Sequence, residues 1–145
     1  MALVVDDHLL LDLLTEDVRG WLAEAVSEAA VYTTASWYYR VANASEHGSG
    51  QGSLSGRIAA VAEPARTALR ARIARLPDEI GLVGPLTLVP VMARLDTQRR
   101  LNYLSAEALA LALLTDATAA VRTDSPPLRN ACDALQVEYR VVDAP

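Results

Sequence analysis

The chain has 145 residues, of which 52% are hydrophobic and 21% are charged, and this composition excludes a disordered chain because it is sufficient to form one hydrophobic core. Its single cysteine, Cys132, excludes a disulfide framework and a cysteine-based zinc site. Thirteen arginines, no lysine and eighteen acids give a net charge of −5. No apolar run reaches the roughly 18 residues of a membrane span. We therefore expect one cytoplasmic domain over residues 1–145 that does not enter a membrane.

The first predicted strand ends in a carboxylate. Residues 2–5 form a short apolar run that favours a buried parallel strand, and Asp6 follows it directly. A short leucine-rich helix comes next, and Thr15 is expected to cap a second helix because apolar residues recur at helical spacing from Val18 to Ala29. The pattern then predicts a second strand and a third helix, at residues 30–34 and from a cap at Ser36.

The middle of the chain gives weaker signals. Residues 46–56, EHGSGQGSLSG, are rich in glycine and serine and lack an apolar period, which predicts a flexible surface loop. Apolar residues at helical spacing then indicate a pair of helices between residues 54 and 76. Residues 84–95 contain Pro85 and Pro90 and fit either extended structure or a short broken helix, so the fold of residues 77–104 is not predicted.

The last third of the chain predicts another strand that ends in a carboxylate. Ser105 is expected to cap a helix with apolar residues on two faces, which indicates that this helix is buried. A short strand then leads through Thr123 to Asp124. A further helix carries Cys132, and residues 137–142 form the last strand.

The alternation of strands and helices predicts the fold class. Right-handed crossovers between parallel strands give an α/β three-layer sandwich with a central, mostly parallel sheet and helices on both faces. Ligand sites in such folds lie beyond the carboxyl ends of the strands, where Asp6 and Asp124 both fall. The sequence therefore predicts a site that contains these two carboxylates.

Three segments resemble the PIN-domain family, the metal-dependent nuclease fold of many ribonuclease toxins in bacterial toxin–antitoxin pairs. They are VVDDHLLLDLL near the start, SAEALALALL near residue 110 and VRTDSPPLRNACDALQVEYRVV near the end, and together the match spans most of the chain. The resemblance implies that Asp6 and Asp124 bind Mg²⁺ or Mn²⁺, since hydrolysis of a phosphodiester at neutral pH requires an ion that activates water. It also implies an antitoxin-like protein partner and a homodimer.

The chain departs from the family at two further acids. No Asp or Glu occurs from Ala29 through Ser45, where the family has one early in a helix, and Ser105 stands where another acid usually opens the alanine-rich helix. Glu107 is the candidate replacement for the latter and the third candidate catalytic residue, although two residues along a helix correspond to about 200° of rotation. His8 also replaces the small polar residue that the family has two positions after the first acid.

Basic and aromatic residues suggest a binding surface. Residues 1–30 contain seven acids and one arginine, whereas residues 57–75 contain five arginines and one acid. Arg66, Arg70, Arg72 and Arg75 are expected to form either a solvated helix face or a surface for RNA or a protein partner. The aromatic residues after the second strand fit either the core or stacking on bases, at Trp37, Tyr38 and Tyr39.

Each candidate acid also has a structural interpretation. Asp6 is suited to cap the next helix, with Asp7 and Asp12 as solvated neighbours, and Asp124 is suited to a turn or a helix cap. Glu107 fits a first-turn charge that interacts with the helix dipole.

Three hypotheses follow for the function. The leading one is a degenerate PIN-like protein with weak or no ribonuclease activity that binds RNA or a protein partner. The second is an active Mg²⁺-dependent endoribonuclease in which Asp6, Asp124 and a third acid, such as Asp96 or Asp116, hold the ion. The third is a structural α/β interaction subunit that does not bind nucleic acid.

Overall fold

The computed structural model of the protein describes residues 1–48, 52–96 and 100–143. All strand pairs of its five-stranded sheet are parallel, and the strand order is β3-β2-β1-β4-β5. The strands are β1 (Ala2–Val5), β2 (Ala30–Thr33), β3 (Ile80–Leu82), β4 (Thr118–Val121) and β5 (Tyr139–Val141).

Helices cover both faces of this sheet, as the fold-class prediction requires. They are α1 (Asp7–Thr15), α2 (Gly20–Glu28), α3 (Ala35–His47), α4 (Ser53–Ala59), α5 (Ala65–Ala74), α6 (Pro85–Asp96), α7 (Tyr103–Thr115) and α8 (Pro126–Ala134). None of the helices in the described part of the chain has the length and apolarity needed to cross a membrane. The predicted three-layer α/β sandwich with a parallel sheet is confirmed.

Two apolar clusters hold the layers together. Ala2 and Val4 of β1 point to one cluster, with α6, α7 and α8, whereas Leu3 and Val5 point to the other, with α1, α2, α4 and α5. Side chains alternate between the two faces of a strand, so a strand covered on both faces has to be apolar at every position. This explains why β1 is a continuous apolar run.

The helix starts differ from three of the predicted caps. Thr15 ends α1, and α2 begins after Arg19, whose side chain makes no capping hydrogen bond. Thr34 caps α3 in place of Ser36, and Asn102 caps α7 in place of Ser105. Both true caps have extended backbones and accept from the amide three residues on, at 3.1 Å and 2.8 Å, which is the geometry that satisfies a free amide of the first turn.

The middle of the chain is more regular than the sequence indicated. The loop predicted for residues 46–56 is wrong at both ends, since α3 continues to His47 and α4 begins at Ser53; residues 49–51 lie outside the described part. Within residues 77–104, β3 is a strand at the edge of the sheet and α6 is one helix with Pro90 inside it. Its inner side packs in the core against α7 through Leu88 and Met92, which offsets the helix hydrogen bond that a proline removes.

Candidate functional site

The centre of the sheet has the topology at which α/β proteins bind ligands. The chain builds the sheet outward from β1 to β2 and β3 on one side, and through β4 to β5 on the other. Loops that leave β1 and β4 therefore diverge and open a crevice at the carboxyl ends of these two strands. Asp6 follows β1 at this point, and Arg122 follows β4.

Asp6 connects these two strand ends. One carboxylate oxygen accepts from the Leu9 amide at 2.9 Å, so Asp6 caps α1, and the other accepts from the Arg122 amide at 2.7 Å. Burial raises the pKa of Asp6 to about 6, although both amide hydrogen bonds act in the opposite direction. The helix-cap interpretation of Asp6 is confirmed, and both of its oxygens have backbone donors.

The raised pKa predicts a pH dependence of stability. The folded protein binds the Asp6 proton more tightly than the unfolded chain, whose pKa is near 3.8, so the stability contributed by Asp6 is greatest at low pH and falls as the pH rises from about 4 to about 6. We expect the free energy of unfolding of the wild type, measured against that of Asp6→Asn, to decrease by on the order of 2 kcal/mol over this interval.

Chemical denaturation of both proteins between pH 4 and pH 7 measures this difference. Asparagine also caps helices. It has one acceptor oxygen where Asp6 has two, and this difference lowers the stability of the variant equally at every pH. Only the change of the stability difference with pH therefore reports the titration of Asp6. A difference that does not change with pH would contradict the raised pKa.

Asp124 lies three residues beyond the end of β4 and is exposed. One of its oxygens accepts from the Tyr139 hydroxyl at 3.1 Å, and the other is paired with Arg129 of α8. Desolvation by burial is the main cause that raises the pKa of Tyr139 to about 12, so its hydroxyl stays a donor at neutral pH. Asp6 and Asp124 have no hydrogen-bond partner in common.

Glu107 is buried, with 3% of its surface exposed. Its carboxylate accepts from the Ser36 amide at 3.1 Å and from the Ser36 hydroxyl at 2.7 Å, at the N-terminus of α3. The prediction of a first-turn charge on α7 is wrong, because α7 begins at Tyr103 and Glu107 lies beyond the first turn. Glu107 instead faces the start of α3, a neighbour that its position relative to Ser105 does not indicate.

Asp7 is buried beside the same helix. Only 5% of its surface is exposed. The Nε atom of Arg40, in α3, lies 3.0 Å from one carboxylate oxygen of Asp7. The two groups form an ion pair whose angles are not those of a hydrogen bond. Ser36 and Arg40 are four residues apart and therefore lie on one face of α3. Glu107 and Asp7 thus contact successive turns of this face. Sequence reasoning missed Asp7, although two adjacent acids after a buried strand were a signal.

Asp12 forms the centre of a buried ion network. It has 1% of its surface exposed, and its two oxygens are paired with Arg57 of α4 and with Arg122. Arg57 also donates to the His8 carbonyl and lies 3.1 Å from His8 Nδ1, a nitrogen that has to accept because a guanidinium has only donors. The prediction that Asp7 and Asp12 are solvated is therefore wrong: both charges are buried against arginines.

The oxygens of the candidate acids accept from donors of the protein itself. Within residues 1–48, 52–96 and 100–143, no three His, Cys, Asp or Glu side chains are grouped closely enough to hold an ion. Mg²⁺ and Mn²⁺ require several oxygen ligands, whereas the oxygens of Asp6, Glu107 and Asp124 accept from amides, hydroxyls or an arginine.

Asp116 and Asp96, the two other candidates for a third metal ligand, differ in position. Asp116 ends α7 and precedes β4, so it lies at the amino end of the sheet, opposite Asp6. The side chain of Asp96 lies outside the described part of the structure.

The arginine set divides into two pairs. Arg66 donates to the Val61 and Ala59 carbonyls, and Arg72 donates to the Leu14 carbonyl and pairs with Glu16. Arg70 of α5 and Arg75, the residue that follows α5, are exposed.

The aromatic residues of α3 also separate by environment. Trp37 is in the core, the Tyr38 hydroxyl donates to the Ile73 carbonyl, and Tyr39 is exposed.

Comparison of the chain with models of known protein families, and with curated proteins, finds no match. The resemblance to the PIN family therefore rests on the three quoted segments alone.

Proposed function

We propose that the protein is a degenerate PIN-like protein that acts as a protein-interaction module, with the outward side of α6 as its interface, and that it does not cleave RNA by a metal-dependent reaction. One observation carries the proposal: α6 is apolar on both of its sides, but only one of them is buried. Leu88 and Met92 lie in the core, whereas Leu86 is 93% exposed and Val89 is 46% exposed.

The exposed side of α6 forms a continuous apolar stripe. It consists of Leu86, Val89, Pro90 and Ala93, all exposed and spaced by three or four residues, which places them on one side of the helix. Helices that are apolar all round are normally buried. An apolar patch on the surface is typical of an interface, because burying it gains about 25 cal/mol per Å² of apolar area.

A protein partner explains the surface better than RNA does. RNA affinity depends largely on cations that are free to contact phosphates, but Arg66 and Arg72 are bound to backbone carbonyls of their own chain. To bind RNA, the guanidinium N–H groups of both arginines would have to leave these carbonyl oxygens for phosphate oxygens. The chain also has a net charge of −5, which repels a polyanion at long range.

The partner to which we assign the stripe is a second copy of the chain. Two α6 helices related by a twofold axis would bury Leu86 and Val89 of both copies, and the four stripe residues carry no charge that would be desolvated. This assignment agrees with the homodimer that the resemblance to the PIN family implies.

The arginine partners of the acids support the absence of hydrolysis. In place of the acid that the family has early in this helix, α3 presents Arg40 to Asp7. Arg40 lies against one oxygen of Asp7, and its positive charge opposes the binding of a metal ion there. Asp12 is likewise occupied by two arginines.

Sedimentation velocity at increasing protein concentration tests the proposal. We expect the wild type to associate into dimers between about 1 and 100 µM, the range of a moderate interface. The double variant Leu86→Glu/Val89→Glu should remain monomeric over the same range, because it places two charges in the centre of the stripe. Arg70→Glu/Arg75→Glu is the matched control and should dimerise like the wild type, since both residues are exposed and neither belongs to α6.

Two outcomes would contradict the proposal. One is a wild type that stays monomeric at every concentration, or a stripe variant that still dimerises. The other is cleavage of single-stranded RNA by the wild type in the presence of Mn²⁺, with loss of the activity in Asp6→Asn or Asp124→Asn, which would establish the endoribonuclease hypothesis.

A further inference from the structure

A second feature of the carboxyl end of the sheet is a cavity of about 240 Å³ between the start of α2 and the ends of β4 and β5. Three arginines from three separate segments line it: Arg19 precedes α2, Arg122 follows β4, and Arg140 belongs to β5. Trp21 of α2 forms a further part of the wall. None of the residues that line the cavity belongs to α6.

Arg140 is held in a defined position. Its guanidinium carbon lies 4.2 Å from the centre of the Trp21 ring, a cation–π contact that stabilises this position of the side chain. A guanidinium fixed in this way keeps its outward N–H groups in a fork, and less conformational entropy is lost when it binds two oxygens. Arg140 is therefore suited to bind an oxyanion.

Arg122 is also held in place. It donates to the Val142 carbonyl at 3.4 Å and to the Asp143 carbonyl, and it pairs with Asp12. These contacts keep a second guanidinium on the wall of the cavity. Arg19 differs from Arg122 in that its side chain is 70% exposed, and it is paired with the half-exposed Asp17.

The charges around the cavity favour an anion. Asp12, Asp17 and Asp143 also line it, but Asp12 is 1% exposed and is shared between Arg122 and Arg57. Three arginines and three acids therefore line the cavity, and in the described part of the structure Arg140 is the one of these arginines that has no acid partner. The exposed pair of Arg19 and Asp17 contributes little energy and is readily exchanged for a stronger anion.

The backbone at the start of α2 is open to the cavity. A side-chain carbon added at Gly20 would meet no atom within 4 Å, so a ligand can approach the chain closely there. Arg19 makes no capping hydrogen bond to the first turn of α2. The amides of that turn therefore add donors beside the three arginines.

We propose that this cavity binds the phosphate group of a small phosphomonoester, with Arg140 and Arg19 as its principal ligands and Arg122 as a fixed positive wall. A volume of about 240 Å³ is below the roughly 300–1,000 Å³ of pockets for drug-sized molecules, so the ligand is small. Doubly charged, tetrahedral phosphate uses several converging donors, whereas a carboxylate is satisfied by one arginine.

The two tryptophans provide the measurement. In a ¹H–¹⁵N spectrum of the intact protein, titrated at constant ionic strength with inorganic phosphate and separately with glycerol 3-phosphate, we expect the indole N–H signal of Trp21 to shift and to saturate. The signal of Trp37, which is buried in the core away from the cavity, serves as an internal control. Tighter binding of glycerol 3-phosphate than of inorganic phosphate identifies an organic phosphomonoester as the ligand.

Variants of the two principal ligands complete the test. Arg140→Gln and Arg19→Gln should each raise the dissociation constant at least tenfold, about 1.4 kcal/mol, while Arg75→Gln, directly after α5, should leave it unchanged. All three residues are exposed, so folding should persist, and the Trp37 signal verifies it. The proposal is overturned if Trp21 does not respond at about 10 mM phosphate, if acetate gives the same shift, or if neither cavity variant weakens binding.

Discussion

Replacing Asp12 by asparagine is expected to lower the free energy of unfolding by about 3 kcal/mol. The substitution keeps the shape of the side chain but removes the negative charge that lies between Arg57 and Arg122. Breaking a buried ion pair by removing one partner typically costs about 3–5 kcal/mol, because the other charge is left buried and uncompensated. The lower value applies here because water reaches Arg57, whose side chain is 36% exposed.

Denaturation with urea, followed by circular dichroism, measures the effect. Asp17→Asn is the matched control: the same change is made five residues away in an exposed pair with Arg19, and a loss of no more than about 1 kcal/mol is expected. If Asp12→Asn costs as little as the control, water or a rearrangement of the arginines compensates the lost charge, and the network does not stabilise the fold.

Replacing Glu107 by alanine is expected to lower the free energy of unfolding by about 2 to 4 kcal/mol. The Ser36 amide and hydroxyl both lose a charged acceptor in a site that is largely closed to water. Each hydrogen bond to a charged group contributes about 1.5–3 kcal/mol, and the removal of a buried charge offsets part of the sum. Hydrogen exchange should quicken at the first turn of α3, where the Ser36 amide loses its acceptor.

Glu107→Gln is the matched variant for this measurement. Its amide keeps one oxygen acceptor for Ser36, so a loss of only about 1 kcal/mol is expected. A gain in stability on replacement by alanine would contradict a structural role. Such a gain is the behaviour of a carboxylate kept for chemistry at the expense of stability.

The two predictions concern one property of the molecule. Acids near the carboxyl end of the sheet act as connections between elements: Asp12 links α1 to α4 and to the end of β4, and Glu107 links α7 to α3. In a nuclease of this topology, such acids would have to be free for metal ions. Their use as structural connections agrees with the proposed function in binding and moves the site of interest to α6 and to the arginine cavity.

Local patterns identified the elements that make up the core. The apolar run before Asp6 predicted β1, and the apolar residues on two faces of α7 predicted a buried helix, because burial on both sides leaves a signature in the order of residues. Helix starts were harder to predict. Thr34 and Ser36 are both good caps, and only the backbone conformation determines which one is used.

The partners of the charged residues could not be predicted in the same way. Asp12 pairs with Arg122, 110 residues away, and Glu107 binds Ser36, 71 residues away. An isolated acid in a sequence is most often solvated, and the residues around it in the sequence give no sign when the folded protein buries it.

The sequence by itself therefore determined the fold class, the apolar strands and the position of Asp6 at the end of β1, because these follow from periodicity within a few residues. Only the tertiary structure decided that Asp7, Asp12 and Glu107 are buried against arginines or α3, that α6 continues through Pro90 with an exposed apolar side, and that three distant arginines line one cavity. Charges interact through space, and the distance between two of them is set by how the elements pack.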